Sequence, residues 1–326
     1  MNQSSRNIIA IGGGKGGIGK SVVSTNLAVG LALAGHSVIL ADTDYGASNL
    51  HALLGIRTPA YGFHDLISLR EANAESLLIR TAIANLRFLS GAGDITGSAN
   101  IGSDHVKKIA SLITPLNADT IILDLGPGTS YNVIDFFNIA TRGVALTIPE
   151  TTSVMNTFGF LRAALFHKIA GLFHDRPDLI SLVDHSRNPE TGGDIFSVTQ
   201  LKTKLKSQAP KYLPMVDDVL NSFRPGLIIN RVRKRKDLLL GENLIQLVKK
   251  HLSVRLELLG YVVESDHVRE SVNEMVPFLV KDPQSKPSEN IQKIISTLTQ
   301  TNLRLEKKDG VIHVSKQVSF SAGWKT

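Results

Sequence analysis

Gly14-Lys15-Gly16-Gly17-Ile18-Gly19-Lys20-Ser21 has the form G-x-x-x-x-G-K-S/T and carries a second lysine, Lys15, near its start. Consecutive backbone N–H groups can wrap phosphate oxygens only where no Cβ intrudes, which accounts for Gly14, Gly16, Gly17 and Gly19. Lys20 then neutralises polyphosphate charge, and Ser21 offers its hydroxyl to Mg²⁺. The flanks supply the context such a loop needs. Asn7 to Gly12 reads as a strand ending at the loop, and Ser21 to Ala34 reads as a helix closed by Gly35, with its positive dipole end aimed at the same anion.

Working outward, short apolar runs alternate with helical patterns, as in a mostly parallel sheet covered on both faces. Strands are predicted at Asn7 to Gly12, Ser37 to Asp42, Leu86 to Ser90, Thr120 to Asp124, Gly143 to Ile148, Leu227 to Asn230, Leu258 to Val262 and Phe278 to Val280. Helices are predicted at Ser21 to Ala34, Asp104 to Thr114, Val133 to Ala140, Ser153 to Gly171, Gly241 to His251 and Ser288 to Leu303.

Ligands of an open parallel sheet sit beyond the carboxyl ends of its strands, so polar residues there are candidates. The second strand runs into Asp42-Thr43-Asp44 and on to Asn49; the fourth ends in Asp124, followed by Leu125-Gly126-Pro127-Gly128. The next leads into Pro149-Glu150, and the one after it into Asn230-Arg231. An acidic end to an apolar strand, as at Ile121-Ile122-Leu123-Asp124, is where a phosphate-loop enzyme places a carboxylate serving magnesium. Asp42, Asp44 and Asn230 also suit plain turn formation.

These motifs together resemble the deviant Walker A ATPases of the MinD/ParA family, and most of all its MinD and FlhG (FleN) branch. Lys15 to Ser21 matches the defining loop, Asp42-x-Asp44 with Asn49 and Leu50 the first switch, Asp124 to Gly128 the second, and Thr147 to Val154 the segment after the next strand. The resemblance spans nearly the whole chain. It implies an α/β fold: a doubly wound, mostly parallel sheet with helices on both faces, of the P-loop NTPase, SIMIBI type. It further implies binding and slow, partner-stimulated hydrolysis of ATP with Mg²⁺, and a homodimer that closes around two nucleotides in the ATP state.

By the same resemblance the nucleotide lies against Gly14, Lys15, Gly16, Gly17, Ile18, Gly19, Lys20, Ser21 and Val22, with Asn230 and Arg231 at the adenine. Lys15 reaches the partner's ATP; Lys15, Lys20, Asp44 and Asn49 form the catalytic set; Ser21, Asp42 and Asp124 serve the metal. The implied role is positioning or number control of a cellular structure. The alternative is a ParA-like partitioning ATPase that holds nucleoid DNA nonspecifically.

Composition narrows the field. The chain has 326 residues, ten histidines without metal-ligand spacing and no cysteine, which excludes disulfides, thiolate zinc sites and the cysteine-ligated clusters of iron–sulfur relatives. No apolar stretch approaches the roughly 18 residues that cross a bilayer, and Met1 to Asn7 is polar, so a cytoplasmic location is expected, with peripheral attachment to the inner membrane or the nucleoid. Leu201 to Lys236 holds ten basic residues against Asp217 and Asp218, a net +8 where the whole chain is +7, leaving the remainder at −1. Its Arg231 to Lys236 cluster suits either an anionic surface, membrane or nucleic acid, or a solvated loop.

One phosphate-loop ATPase domain is expected over 1–308, with an insertion at about 174–223 and a C-terminal tail over 309–326. Asp184 to Asp194 is rich in turn formers, including Asn188-Pro189 and Gly192-Gly193, whereas Leu201 to Lys206 and Tyr212 to Phe223 read as short helices. The insertion suits a partner-binding appendage or an inert elaboration. Ile291, Ile294, Ile295 and Leu298 form a helical stripe suited to packing on the sheet, and the tail, with Ile312, Val314, Val318, Phe320 and Trp324, reads as a strand or loose end.

Overall fold

Apolar residues at successive positions leave the central strands no face for solvent, so helices must cover both sides. The computed structural model, which describes residues 7–44, 48–63, 65, 74–91, 103–185 and 197–318, has this arrangement. Its main sheet has eight strands, β1 (Asn7–Gly12), β2 (Val38–Asp42), β3 (Ile79–Arg80), β4 (Leu86–Leu89), β5 (Thr120–Asp124), β6 (Arg142–Thr147), β7 (Gly226–Val232) and β8 (Glu257–Val263). They lie in the order β3-β4-β2-β5-β1-β6-β7-β8. Every pairing within this sheet is parallel except the short β3 against β4.

Alternation along each strand divides the core into two layers. Ile8 and Ala10 of β1 and Ile121 and Leu123 of β5 face one layer, whereas Ile9, Ile11 and Ile122 face the other. The second layer is closed by α1 (Lys20–Leu33), the short helices α2 (Leu50–Leu53) and α11 (Phe278–Lys281), and α12 (Lys286–Thr299). The first is closed by α3 (Ser103–Ile113), α4 (Tyr131–Ile139), α5 (Thr151–Ala170), α6 (Pro177–His185), α7 (Val198–Gln208), α8 (Leu213–Ser222) and α9 (Leu238–Leu252). One more helix, α10 (Asp266–Asn273), follows β8.

The stretch read as an insertion contributes α6 to α8, and its Leu179, Val183, Leu201, Leu205 and Val216 are buried in the first layer. Tyr212 ties the stretch to the turn that follows α5, its ring edge-on to Phe173 and its hydroxyl donating to Asp175 at 2.9 Å. The turn-rich residues 186–194, like Met1 to Arg6, Phe320 and Trp324, lie outside the described residues.

Two predicted elements differ. Phe278 to Val280, expected as a strand, is the single helical turn α11. Pro277 starts that turn, Leu279 N donates to Asn26 Oδ1 of α1 at 2.9 Å, and Phe278 and Leu279 are buried. A run of three apolar residues has no period of its own, and here α1 offers it a packing surface and a backbone acceptor. The helix expected over Ser288 to Leu303 stops at Thr299. Gln300 takes a left-handed φ of 54° and the chain continues as β9 (Thr301–Lys308), which pairs with β10 (Val311–Val318) in a separate antiparallel hairpin. Leu303 and Leu305 alternate inward with Asn302 and Arg304 outward, a period of two that overrides continuation of the helix.

The seam between α1 and α12 is set by Gly30. A Cβ there would stand 2.3 Å from Ile295 Cδ1 and 3.0 Å from Leu279 Cδ2. Gly30→Val is therefore expected to lower folding stability by about 1–3 kcal/mol through overpacking, measured by denaturant titration. An unchanged midpoint would show that the seam has slack.

Candidate functional site

The phosphate loop joins β1 to α1 at the middle of the sheet. Gly19 precedes α1 with φ 90°, a left-handed conformation that a Cβ resists, and among the described residues no side chain caps the helix. The first-turn N–H groups of α1 are thus left to an anion. Close packing fixes the other side of the loop: a Cβ on Gly14 would lie 2.0 Å from the Asn156 carbonyl oxygen. Gly16 and Gly17 face open space instead, with Pro127 Cβ the nearest neighbour to the former at 3.7 Å.

Buried charge gathers behind this loop. Lys20 and Asp124 are 8% and 2% exposed, and Asp42 only 1%. β2 and β5 place Asp42 and Asp124 side by side in register. Ser24 Oγ lies 2.7 Å from Asp124 Oδ1 and 3.0 Å from the Lys20 carbonyl, so one hydroxyl links helix and strand. Thr43 donates both its N–H and its hydroxyl to the Asp124 carbonyl, at 2.9 and 2.8 Å. Asp42 accepts from Ser48 Oγ at 2.7 Å, from Asp44 N at 3.0 Å and from Leu50 N at 3.3 Å, anchoring the start of α2.

Burial pushes the Asp124 carboxyl up to about 7; the Asp42 carboxylate adds to the rise, and the Ser21 and Ser24 hydroxyls and Lys20 oppose it. Burial likewise raises Asp42, against its three hydrogen bonds. Lys20 is lowered by burial, against the attraction of Asp124 and Asp44. The cluster therefore holds charge that the protein alone leaves poorly compensated.

The remaining sequence candidates fall at three places. Asp44 lies beside the loop after β5, its Oδ1 3.4 Å from where a Cβ of Gly126 would be, and Asn49 is exposed at the start of α2. Asn230, two residues before the end of β7, donates Nδ2 to the Ile18 carbonyl at 2.8 Å and so braces the phosphate loop from behind. Ile18 turns its side chain into the core, and Val22 is half-buried in α1. Arg231, next along, is exposed with a left-handed φ of 57° where the β7 to β8 register shifts.

Lys15 projects at the loop's mouth, 45% exposed, with Nζ 3.6 Å from Glu150 Oε2. The Ser153 hydroxyl accepts from Ile148 N at 3.2 Å, which shapes the Pro149-Glu150 corner that presents this carboxylate. The basic cluster stands on the same rim. Arg233 pairs with Glu264, the Arg233 and Lys234 N–H groups donate to Asp237 at 2.9 and 3.0 Å, and residues 233–236 are exposed. Ser24, Thr43 and Ser48 were not singled out from sequence; a hydroxyl one turn after the loop lysine, or flanking an acidic strand end, is the signal that marks them.

The donor set suits a magnesium nucleotide. An open glycine cradle, an uncapped helix start, a buried ammonium and a buried carboxylate beside two serine hydroxyls match polyphosphate with a hard cation. Among the described residues no group of three or more His, Cys, Asp or Glu side chains is arranged to hold a metal ion by itself.

Fold and site together define a phosphate-loop nucleotide-binding protein. The chain belongs to the CobQ/CobB/MinD/ParA nucleotide-binding domain family, whose pattern matches residues 9–278. It is 26% identical to the antiactivator FleN of Pseudomonas aeruginosa over 212 residues, 64% of this chain and 72% of FleN. It is 24% identical to the septum site-determining protein MinD of Thermotoga maritima over 268 residues, 80% of this chain and 92% of MinD. Among solved structures, MinD of Pyrococcus horikoshii complexed with Mg-ADP superimposes with a TM-score of 0.60 at 20% identity, covering 90% of this chain and 96% of that one. A ParA family ATPase of Chlorobium tepidum gives 0.57 at 15% identity, covering 90% and 98%.

The raised Asp124 carboxyl has a sign that can be measured. Between the ordinary value of 3.8 and about 7 the folded state holds a proton that the unfolded chain has lost, so stability falls as pH rises through that window. Asp124→Asn removes this titration. In nucleotide-free protein the variant's melting temperature is expected to vary less than wild type's from about pH 5 to about pH 8. Parallel profiles would mean that Asp124 is already ionised in the empty site.

Proposed function

We propose that the protein is an ATP-driven dimerisation switch of the MinD/FlhG type, serving the positioning or number control of a cellular structure. The observation that carries this reading is Lys15: it stands at the mouth of the loop, half-exposed, while Lys20 already occupies the buried position behind it. A lysine so placed is free to serve a phosphate brought up from outside. Its contact with Glu150 is an exposed pair, a class worth about 0–1 kcal/mol, which a triphosphate's charge readily displaces.

Bound Mg·ATP supplies the γ-phosphate whose presence or loss distinguishes two states. Lys20 and the loop amides hold the phosphates, while Ser21 and Asp124, with Asp42 beside it, serve the magnesium shell. Asp44, next to Gly126, orients water, with Asn49 assisting. Asn230 holds the loop in shape and, with Arg231, borders the adenine. Lys15 crosses to the partner copy and favours closure only while the γ-phosphate remains. A MinC:MinD complex of Aquifex aeolicus is among the solved structures, which supports an activating or effector protein here as well.

Light scattering tests the switch. With Mg²⁺ and a nonhydrolysable ATP analogue the wild type is expected to double in mass, whereas Lys15→Ala stays monomeric with nucleotide affinity within about threefold of wild type. A wild type that remains monomeric at high concentration contradicts the reading.

Asp44→Ala is expected to bind ATP and accumulate as dimer while turnover falls about 100-fold, the scale of losing a positioned acid–base group. Normal turnover would remove Asp44 from the mechanism.

The exposed basic rim supports attachment to an anionic surface in the ATP state. Neutralising Arg233, Lys234 and Arg235 is expected to weaken ATP-dependent sedimentation with anionic liposomes without changing ATP affinity. A salt-sensitive, ATP-dependent shift of nonspecific DNA in place of liposome binding would assign the ParA-like alternative.

A further inference from the structure

At the edge of the sheet opposite the phosphate loop, a cavity of about 400 Å³ opens where β6, β7 and β8 begin and where α4, α5, α8 and α12 end. Cavities of this size hold small-molecule ligands. Its charged wall is Arg142, Lys168 and Arg224 against one carboxylate, Glu257. Arg142 Nη2 already reaches Glu257 Oε2 at 2.6 Å, so the excess positive charge rests on Lys168 and Arg224.

The helix ends account for part of this arrangement. Arg224 Nε donates to the Asn221 carbonyl at 2.9 Å, and Lys168 stands in the last turn of α5, both favourable near the negative end of a helix. Helix ends do not use the rest. Among the described residues the Lys168 ammonium and the two Nη groups of Arg224 have no hydrogen-bond partner. Two lining residues also leave buried polar atoms unmet, a donor at Arg142 Nε and an acceptor at Asn138 Oδ1. Beside these groups the rings of Phe137 and Phe223, 6.4 Å apart, give the cavity an apolar side.

We propose that this cavity is a second ligand site, for a small soluble organic anion in which a phosphate or carboxylate is joined to an apolar body. Lys168 and Arg224 take the anionic head as charge-assisted donors, and the two phenylalanine rings take the body. The site goes beyond the nucleotide switch and does not require it. α4 and α5 start on the phosphate-loop side and end at this cavity, so a ligand here touches the far ends of both.

The test is calorimetric titration of the full-length protein, saturated with Mg²⁺ and ADP to fill the phosphate loop, using phenyl phosphate and benzoate as probes. Saturable one-to-one binding of either probe is expected, weakened at least about tenfold by Lys168→Gln combined with Arg224→Gln, with ADP affinity unchanged. Arg224→Gln alone, at an exposed side chain, gives the same direction of change if the double variant melts early. Absence of saturable binding by both probes, or equal affinity in the variants, overturns the site. Should ADP fail to bind, the nucleotide reading falls separately, and the same titration on Lys20→Ala protein still decides the cavity.

Discussion

Two aspartates on adjacent, in-register strands and a lysine at the start of the neighbouring helix are buried together at the carboxyl end of the sheet. Burial raises the cost of ionising both aspartates, the Asp42 charge adds to that cost at Asp124, and the burial of Lys20 disfavours its charge as well. Neighbouring hydroxyls and amides offset part of this cost: Ser24 for Asp124, and Ser48 with the Asp44 and Leu50 amides for Asp42. The rest calls for a cation beside the carboxylates and an anion beside the lysine. A magnesium polyphosphate supplies both at once.

The fold puts this need where a ligand can meet it. β1 lies between β5 and β6, with α1 leaving to one face of the sheet and α4 to the other, so a crevice opens at the carboxyl ends of the central strands. Rigid neighbours then define the loop in that crevice: Asn156 backbone against Gly14, and Asn230 against Ile18 and Gly19. The rim is built differently. Lys15, Glu150, Arg231 and Arg233 are exposed or lightly paired, so they can exchange partners at little cost while the cradle stays fixed. Rigid binding with an adjustable rim suits the nucleotide-controlled association proposed for this chain.

Much of this was legible in the sequence because it rests on local pattern. The apolar runs at Ile8 to Ile11 and Ile121 to Leu123 became central strands, and the acidic ends at Asp42 and Asp124 lie side by side on β2 and β5, with Asp124 close enough to Lys20 to attract its charge. What stayed hidden depends on contacts between distant segments. Asn230 looked like an adenine contact or a turn former; its bond to the Ile18 carbonyl is visible only once β7 is set beyond β6 from β1. Phe278 to Val280 lacked any period, and α1 settled its form through Asn26. The hairpin of β9 and β10 escaped because the helical stripe of α12 runs directly into an alternating one. Support by Ser24, Thr43 and Ser48 was missed since serine and threonine are frequent everywhere and only placement gives them meaning.

The charge constraint can be measured by counting protons. Mg·ADP is titrated into nucleotide-free protein near pH 7 in two buffers of different ionisation enthalpy, which reports the protons released on binding. With the Asp124 carboxyl at about 7, arrival of the metal should expel roughly half a proton per site. Tight binding with no proton released would mean that the carboxylates behind the loop are ionised and at ease without a ligand, contrary to the structure's electrostatic logic.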